Sequence, residues 1–160
     1  MARNGWVGVV ASLSLAACAP PGGDGEQQDD AVLPATESEK AFGDYVVHFN
    51  AMPTIDLSPE IAAANGIVRS NNRVMLTVSI LRRTGSTDSA VPGRVEASAA
   101  NLTGQLRNLP TNEIREENAI YYIAETQIVN GETLIFTVEA TPEGQTEPFV
   151  VRFRKQFFVD

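Results

Sequence analysis

The sequence predicts an all-β domain, an antiparallel immunoglobulin-like β-sandwich of about seven strands with one short helix. Three observations predict this fold. Several runs alternate apolar and polar side chains with a period of two, which is typical of strands buried on one face. Turn residues separate these runs at intervals of about 8 to 12 residues. Finally, two β-rich runs meet at Asn130-Gly131, a pair that favours the positive φ angles of a type I′ turn and so predicts a tight hairpin.

The predicted strands each carry one apolar face. The inward-facing residues, in chain order, are Tyr45, Val47 and Phe49; Val74, Leu76, Val78 and Ile80; Val95, Ala97 and Ala99; Leu134, Phe136, Val138 and Ala140; and Phe149, Val151, Phe153 and Phe157. The segment Thr141-Pro142-Glu143-Gly144 is expected to turn the chain between the last two strands.

One short helix is predicted between the first two strands. Ser58 is a good N-cap, Pro59 suits the first helical position, and Ile61–Ala64 continue the helix. Asn65-Gly66 favours the left-handed conformation that ends a helix.

The amino terminus has the features of a lipoprotein signal peptide, predicted over residues 1–17. Arg3 supplies positive charge, an apolar run from Trp6 to Leu15 follows, and two small residues precede Cys18. The run is shorter than the ~20 residues that a membrane-spanning helix needs. Because the thiolate is the nucleophile that accepts a lipid, Cys18 is expected to carry diacylglyceryl and palmitate groups. Ala19, rather than Asp, follows Cys18, which favours the outer membrane, facing the periplasm, over the inner membrane.

Residues 18–43 are predicted to be the lipidated cysteine and a disordered acidic tether, and residues 44–160 the β-sandwich domain. The tether sequence is rich in Pro, Gly, Asp and Glu, a composition that buries little apolar surface. The whole chain has a formal net charge of −8 without a basic cluster, which argues against nucleic-acid binding. Cys18 is the single cysteine, so the fold must rely on its hydrophobic core.

No catalytic, cofactor or metal site is predicted. His48 is the single histidine, no Gly-x-Ser-x-Gly motif occurs, and Ser86 lies in a polar turn. His48, Met52 and Met75 are soft donors that suit Cu(I), but Met75 is more simply a packing residue. One histidine and no free cysteine nearly exclude zinc.

The remaining polar clusters have simple structural interpretations. Glu113, Glu116 and Glu117 flank Arg115, and this dense run of charge is expected to be a solvated loop. Basic residues at 82–83 and 152–155 are expected to protect strand edges from aggregation. In the Tyr121-Tyr122 pair, one ring is expected to pack inward and the other to lie on the sheet surface, where it can serve recognition.

Three stretches carry a resemblance to a known family: Tyr45–Ala51; Ala64–Ser70 with Asn72-Arg73; and Glu113–Glu116 with Ala119–Ala124. Through them the chain resembles the bacterial domain of unknown function family 4426 over residues 41–160. The resemblance implies a small secreted or lipid-anchored envelope protein and brings no catalytic residues. His48 and Arg69 lie in these stretches, and together with Tyr121 they form the candidate functional surface.

These observations favour a non-enzymatic envelope lipoprotein that binds or scaffolds another protein, with Cys18 as its membrane anchor. Two other classes stay open. One is a periplasmic carrier of a metal ion or small molecule that uses His48 and Met52. The other, less favoured, is a hydrolase.

Overall fold

Two β-sheets packed face to face make up the domain in the computed structural model, which describes residues 31–159. The predicted signal peptide, the predicted lipidation site Cys18 and most of the acidic segment lie outside these residues. Within them, no helix is long and apolar enough to cross a membrane.

Eleven strands, one 3-10 turn and one α-helix form the described fold. The strands are β1 Val32–Leu33, β2 Glu39–Phe42, β3 Tyr45–Pro53, β4 Arg73–Thr84, β5 Thr87–Ala90, β6 Gly93–Asn101, β7 Leu106–Leu109, β8 Asn112–Glu116, β9 Ala119–Gln127, β10 Thr133–Pro142 and β11 Phe149–Gln156. The 3-10 turn, Thr54–Asp56, and the helix α1, Pro59–Ala64, lie between β3 and β4.

The five-stranded sheet has the order β1-β11-β10-β6-β7, and the six-stranded sheet has the order β2-β3-β4-β9-β8 with β5 paired to β4. The pairs are antiparallel except β1 with β11, which is parallel. The alternating apolar residues meet between the sheets. Phe153 lies 4.7 Å from Phe49 and 5.0 Å from Phe136, ring centre to ring centre, so aromatic packing joins the two sheets.

A second apolar cluster covers part of the outer face of the six-stranded sheet, where α1 packs on it. Its buried members are Leu57, Ala62, Ile67, Met75 and Ile123. The helix begins as predicted, because the Ile61 amide donates to Ser58 Oγ at 3.3 Å. It ends at Ala64, followed by Gly66 with a φ of 66°.

The all-β class and the short helix are confirmed, but the prediction of about seven strands is wrong, because the described chain has eleven. The additional strands are short edge strands such as β5 and β7, which have four residues each. A four-residue strand with one buried side chain or none shows little alternation in the sequence. The immunoglobulin-like class stays a prediction.

The hairpin prediction at Asn130-Gly131 is wrong. β9 pairs with β4 and β8, whereas β10 pairs with β6 and β11, so this turn crosses from one sheet to the other. The Glu132 amide donates to the Val129 carbonyl at 3.1 Å. Gly131 has a φ of 75°, while the described non-glycine residues, Asn130 included, have none in the positive range. A positive φ at the second central residue alone is the type II pattern, not type I′.

The ordered domain begins before residue 44. Residues 32–33 and 39–42, which were predicted to belong to the disordered tether, form β1 and β2. Phe42 stacks on Phe149 at 4.7 Å, and Leu33 packs against the main core. The prediction used the average composition of residues 18–43, which the acidic, glycine-rich residues before β1 dominate. That average did not indicate that Leu33 and Phe42 are packed.

Candidate functional site: a groove beside His48

A groove opens on the outer face of the six-stranded sheet where β4 changes its partner. β4 pairs with β9 from Arg73 to Val78 and then with β5 from Leu81 onward. The first residues of β9 pair instead with β8 on their other side. The groove left between β4 and the start of β9 has a volume of about 370 Å³.

Both polar and apolar residues line the groove. The residues that line it are Ser38, His48, Phe49, Asn50, Thr77, Ser79, Leu81, Asn118, Ala119, Ile120 and Tyr121. We call this set the His48 groove. The β3–β4 register places His48 opposite Ser79 and Asn50 opposite Thr77, so four polar side chains lie on two adjacent strands.

His48 is the group in the groove whose hydrogen bonding is incomplete. Its Nε2 atom is buried and has no hydrogen-bond partner among the described residues. Glu39 lies opposite His48 across the β2–β3 pair, with Oε2 at 3.6 Å from Nε2, beyond hydrogen-bond distance. A desolvated polar atom without a partner costs free energy. A ligand that offers Nε2 a hydrogen bond would therefore be favoured.

An ion pair shapes the β4–β5 hairpin next to the groove. Arg83 donates from Nε and Nη2 to the two carboxylate oxygens of Asp88, each at 3.0 Å. These hydrogen bonds lower the pKa of the Asp88 carboxyl, to which His48 adds a smaller Coulombic effect, and they raise the pKa of Arg83. Both groups are therefore charged at neutral pH, and the pair adds little stability because it is exposed.

The structure brings two of the three predicted surface residues together. His48 and Tyr121 both line the groove. As predicted for the tyrosine pair, Tyr122 packs inward, 4% exposed, while Tyr121 lies on the outer face. Arg69 lies elsewhere, in the segment between α1 and β4, where its Nη2 donates to the Ile55 carbonyl at 2.7 Å. The three residues therefore do not form one surface.

The carboxylates near Arg115 belong to an edge strand, which corrects the predicted loop. Glu113 and Glu116 lie in β8, and Glu117 lies in the turn that follows. Arg115 donates to Glu113, and this hydrogen bond lowers the pKa of the Glu113 carboxyl. These acids are exposed, and the residues that line the His48 groove do not include them.

The three possible soft-metal donors are not assembled. Met52 and Met75 lie opposite each other across the β3–β4 pair and pack in the cluster beneath α1. His48 is four residues from Met52 on β3, which corresponds to ~13 Å of strand. Among residues 31–159, no group of three His, Cys, Asp or Glu side chains is arranged to hold a metal ion.

Asn50, Thr77 and Ser79 are site residues that the sequence reasoning missed. The available signal was their position: Thr77 and Ser79 are the two uncharged polar residues on the outer side of β4, flanked there by Met75 and Leu81. The change from apolar to polar and back marks the part of this face that α1 leaves uncovered.

Comparison with known proteins identifies relatives of the domain but not its activity. The family model described as domain of unknown function DUF4426 matches residues 39–160. A crystal structure of a DUF4426 family protein from Pseudomonas aeruginosa PAO1 is 34% identical, with a TM-score of 0.65 over 76% of this chain and 94% of that chain. No curated protein matches the chain significantly in sequence.

Two structures of FetP from uropathogenic Escherichia coli strain F11 are more distant. A copper-bound Glu-to-Gln variant of FetP is 14% identical, with a TM-score of 0.58 over 80% of this chain and 98% of that chain. FetP expressed recombinantly in the periplasm is 12% identical, with a TM-score of 0.56 over 76% and 93% of the two chains. At these identities the comparison shows a shared fold alone.

Proposed function

The chain belongs to the DUF4426 family, and on that premise we propose that it is a non-catalytic binding module of the cell envelope that recognises a partner protein through the His48 groove. The observation that carries this proposal is that His48 lines an open groove and that its buried Nε2 has no hydrogen-bond partner among the described residues. A hydrogen-bond donor or acceptor from a partner would satisfy this atom and remove its desolvation cost.

The groove walls suit a protein ligand. Leu81, Ile120 and Tyr121 offer apolar contact surface, and Asn50, Thr77 and Ser79 offer neutral hydrogen-bonding groups. Tyrosine is enriched among the residues that contribute most to protein recognition. The charged pair Arg83–Asp88 stands beside the groove, where it adds specificity through charge complementarity more than affinity.

The proposed location rests on the amino-terminal sequence. Cys18 follows a short apolar run and two small residues, so we propose that it is acylated and holds the domain at the periplasmic side of the outer membrane. We propose no enzymatic activity, because the groove has one imidazole with no nucleophile activated by it.

Site-specific photo-crosslinking in cells tests the groove as a docking surface. A photoreactive residue at Ser79 should crosslink to one partner, and the same residue at Ser98, on the outer face of the five-stranded sheet, serves as the matched control. Adding Tyr121→Ala should abolish the Ser79 crosslink while circular dichroism shows an intact fold. Equal crosslinking from both positions, or a crosslink insensitive to Tyr121→Ala, would contradict the proposal.

Metal carriage is the competing proposal, and one observation favours it. The domain shares its fold with FetP, of which a copper-bound variant is known. In this chain the donors would be His48 with Met52, but Met52 packs in the cluster beneath α1. A copper site would therefore require that cluster to rearrange, which makes protein recognition the better-supported function.

A further inference from the structure

Exposed apolar side chains are concentrated at one end of the sandwich. Six large apolar side chains of the described residues are more than half exposed, between 54% and 72%. They are Ile61, Val68, Leu102, Leu106, Val129 and Phe158. We call this set the apolar end. The positions fall in α1 and the loop after it, the β6–β7 connection and the first residue of β7, the β9–β10 turn and the tail after β11.

Strand registers place these separate segments at the same end of their sheets. The pairs that fix this arrangement are Pro53 with Val74, Arg73 with Gln127, Asn101 with Leu134, and Thr133 with Gln156. Each of these pairs lies at or next to the end of its strand pairing. The chain that leaves the strands there forms the segments that carry the six exposed apolar residues.

Hydrogen bonds from one arginine join the two sheets at this end. Arg107 of β7 donates from Nη1 to the Gln127 carbonyl and from Nη2 to Glu132 Oε1, both at 2.6 Å. The Val159 amide donates to Asn130 Oδ1 at 3.0 Å, which holds the carboxyl-terminal tail beside the β9–β10 turn. The exposed apolar side chains therefore belong to segments that meet at one end of the sandwich.

The apolar end is electrically balanced, although the chain is acidic. The segments 54–73, 101–107, 125–133 and 155–159 contain four acidic side chains, Asp56, Glu60, Glu125 and Glu132, and four basic ones, Arg69, Arg73, Arg107 and Lys155. Residues 31–159 contain fifteen acidic and eleven basic side chains, so their net negative charge lies away from this end. This end can thus approach an anionic surface with less repulsion than the rest of the domain.

The preceding chain is long enough to let the apolar end reach a membrane that holds Cys18. Twelve residues, Ala19–Asp30, separate Cys18 from the first described residue, and such a chain spans at most ~40 Å. It leads into β1, whose Val32 pairs with Arg152, four residues before the end of β11. Because β1 runs parallel to β11, the chain enters β1 from the opposite end and must turn back over the ~13 Å between Arg152 and the end of β11. A span of ~40 Å allows this, so a lipid on Cys18 and the apolar end can reach one surface.

We propose that the apolar end rests on the lipid bilayer in which Cys18 is anchored, with its six side chains among the headgroups and upper acyl chains. The proposal rests on the acylation proposed above, which would hold this end at high local concentration near lipid. The His48 groove, on the outer face of the six-stranded sheet, then opens sideways along the membrane and stays accessible to a partner.

Tryptophan fluorescence tests this orientation, because Trp6 is the single tryptophan and lies in the predicted signal peptide. Acylated mature protein carrying Phe158→Trp, which begins at Cys18 and so lacks Trp6, is reconstituted into vesicles of phosphatidylethanolamine and phosphatidylglycerol that contain brominated lipid. Glu117→Trp, in the β8–β9 turn at the opposite end, is the matched control. Emission from the Phe158→Trp protein should shift to shorter wavelength and be quenched several-fold more strongly than emission from the control.

The other outcomes each overturn the proposal. Equal quenching of both proteins, or quenching of neither, means that the apolar end does not face lipid. A blue shift without vesicles, accompanied by a dimer in sedimentation, means that a second copy covers this end. Failure of the anchor is recognised separately, because mass spectrometry then finds Cys18 unmodified. The same two variants, produced without residues 1–17 so that the reporter is the single tryptophan, are then added to vesicles from solution and still report whether the apolar end contacts lipid.

Discussion

The hydroxyl of Tyr122 and the backbone of Gly93 form two hydrogen bonds that join the two sheets. The Gly93 amide donates to Tyr122 Oη at 2.8 Å, and Tyr122 Oη donates to the Gly93 carbonyl at 3.0 Å. Gly93 is the first residue of β6, and a Cβ there would lie 2.5 Å from the Thr141 carbonyl oxygen. Because Gly93 has no side chain, β6 and β10 approach closely at this point. The buried Tyr122 phenol of β9 can then reach the Gly93 backbone.

Tyr122→Phe should lower the free energy of unfolding by about 1 to 2 kcal/mol, because both hydrogen bonds are lost and the Gly93 amide is left without this partner. Chemical denaturation gives the value. Tyr121→Phe is the matched control, since that ring lies in the exposed groove, and its effect should be close to zero. Equal losses from both substitutions would show that the contact between Tyr122 and Gly93 does not stabilise the fold.

Stability should fall at high pH through Tyr122. Burial, opposed by the hydrogen bond from Gly93, raises the pKa of the Tyr122 phenol above its ordinary value. A group whose pKa is higher in the folded state stabilises the protein below the unfolded pKa of about 10, and this contribution is lost as pH rises through the folded pKa. The wild-type protein should thus lose stability above about pH 10 more steeply than the Tyr122→Phe protein does. Parallel profiles would contradict this assignment.

Gly131→Val should destabilise the domain by about 1 kcal/mol or more, because a β-branched residue is strained at positive φ. Gly131 has a φ of 75° in the turn that carries the chain from β9 to β10. Gly131→Asn is the control, since asparagine tolerates this conformation better and should cost less. The two thermal unfolding midpoints should differ, and coincident midpoints would rule out backbone strain as the cause.

For β10, the sequence predicted the buried residues but not the neighbouring strands. Alternation correctly placed Leu134, Phe136, Val138 and Ala140 in the core, where each is 0% exposed. It identified the inward face of β10 but not its neighbours, because a period of two says nothing about which strand pairs with which. The turn chemistry of Asn130-Gly131 is local, whereas the choice of β6 and β11 as partners is a long-range packing result.

The candidate site was predicted only in part, because its shape also depends on long-range packing. His48 and Tyr121 were recognised, but the groove that unites them depends on where β9 leaves β4 and on which part of the outer face α1 covers. Met75 and Ser79 occupy equivalent outer positions of β4, yet Met75 is buried and Ser79 lines the groove. The period of two places both residues on the outer side, but it does not show that α1 covers Met75 and leaves Ser79 open.

Cys18→Ser should abolish membrane anchoring. Without a thiol, the chain cannot accept a diacylglyceryl group, and it should accumulate as uncleaved precursor or be released. Cell fractionation and mass spectrometry of the mature amino terminus measure both effects. Ala19→Ser, which leaves the thiol in place, should behave like wild type. Normal processing and outer-membrane fractionation of the Cys18→Ser protein would refute the lipoprotein prediction.

Copper binding separates a recognition module from a metal carrier. Since His48 and Met52 are ~13 Å apart along β3 and Met52 packs beneath α1, purified protein should bind no stoichiometric copper. His48→Ala should leave thermal stability nearly unchanged, because the imidazole is 38% exposed and its Nε2 has no hydrogen-bond partner in the described residues. Isothermal titration with Cu(I) checks the first point, with Met52→Leu as the matched control that keeps the packing. Tight one-to-one binding that is lost in both His48→Ala and Met52→Leu would replace protein recognition with metal carriage as the function of this site.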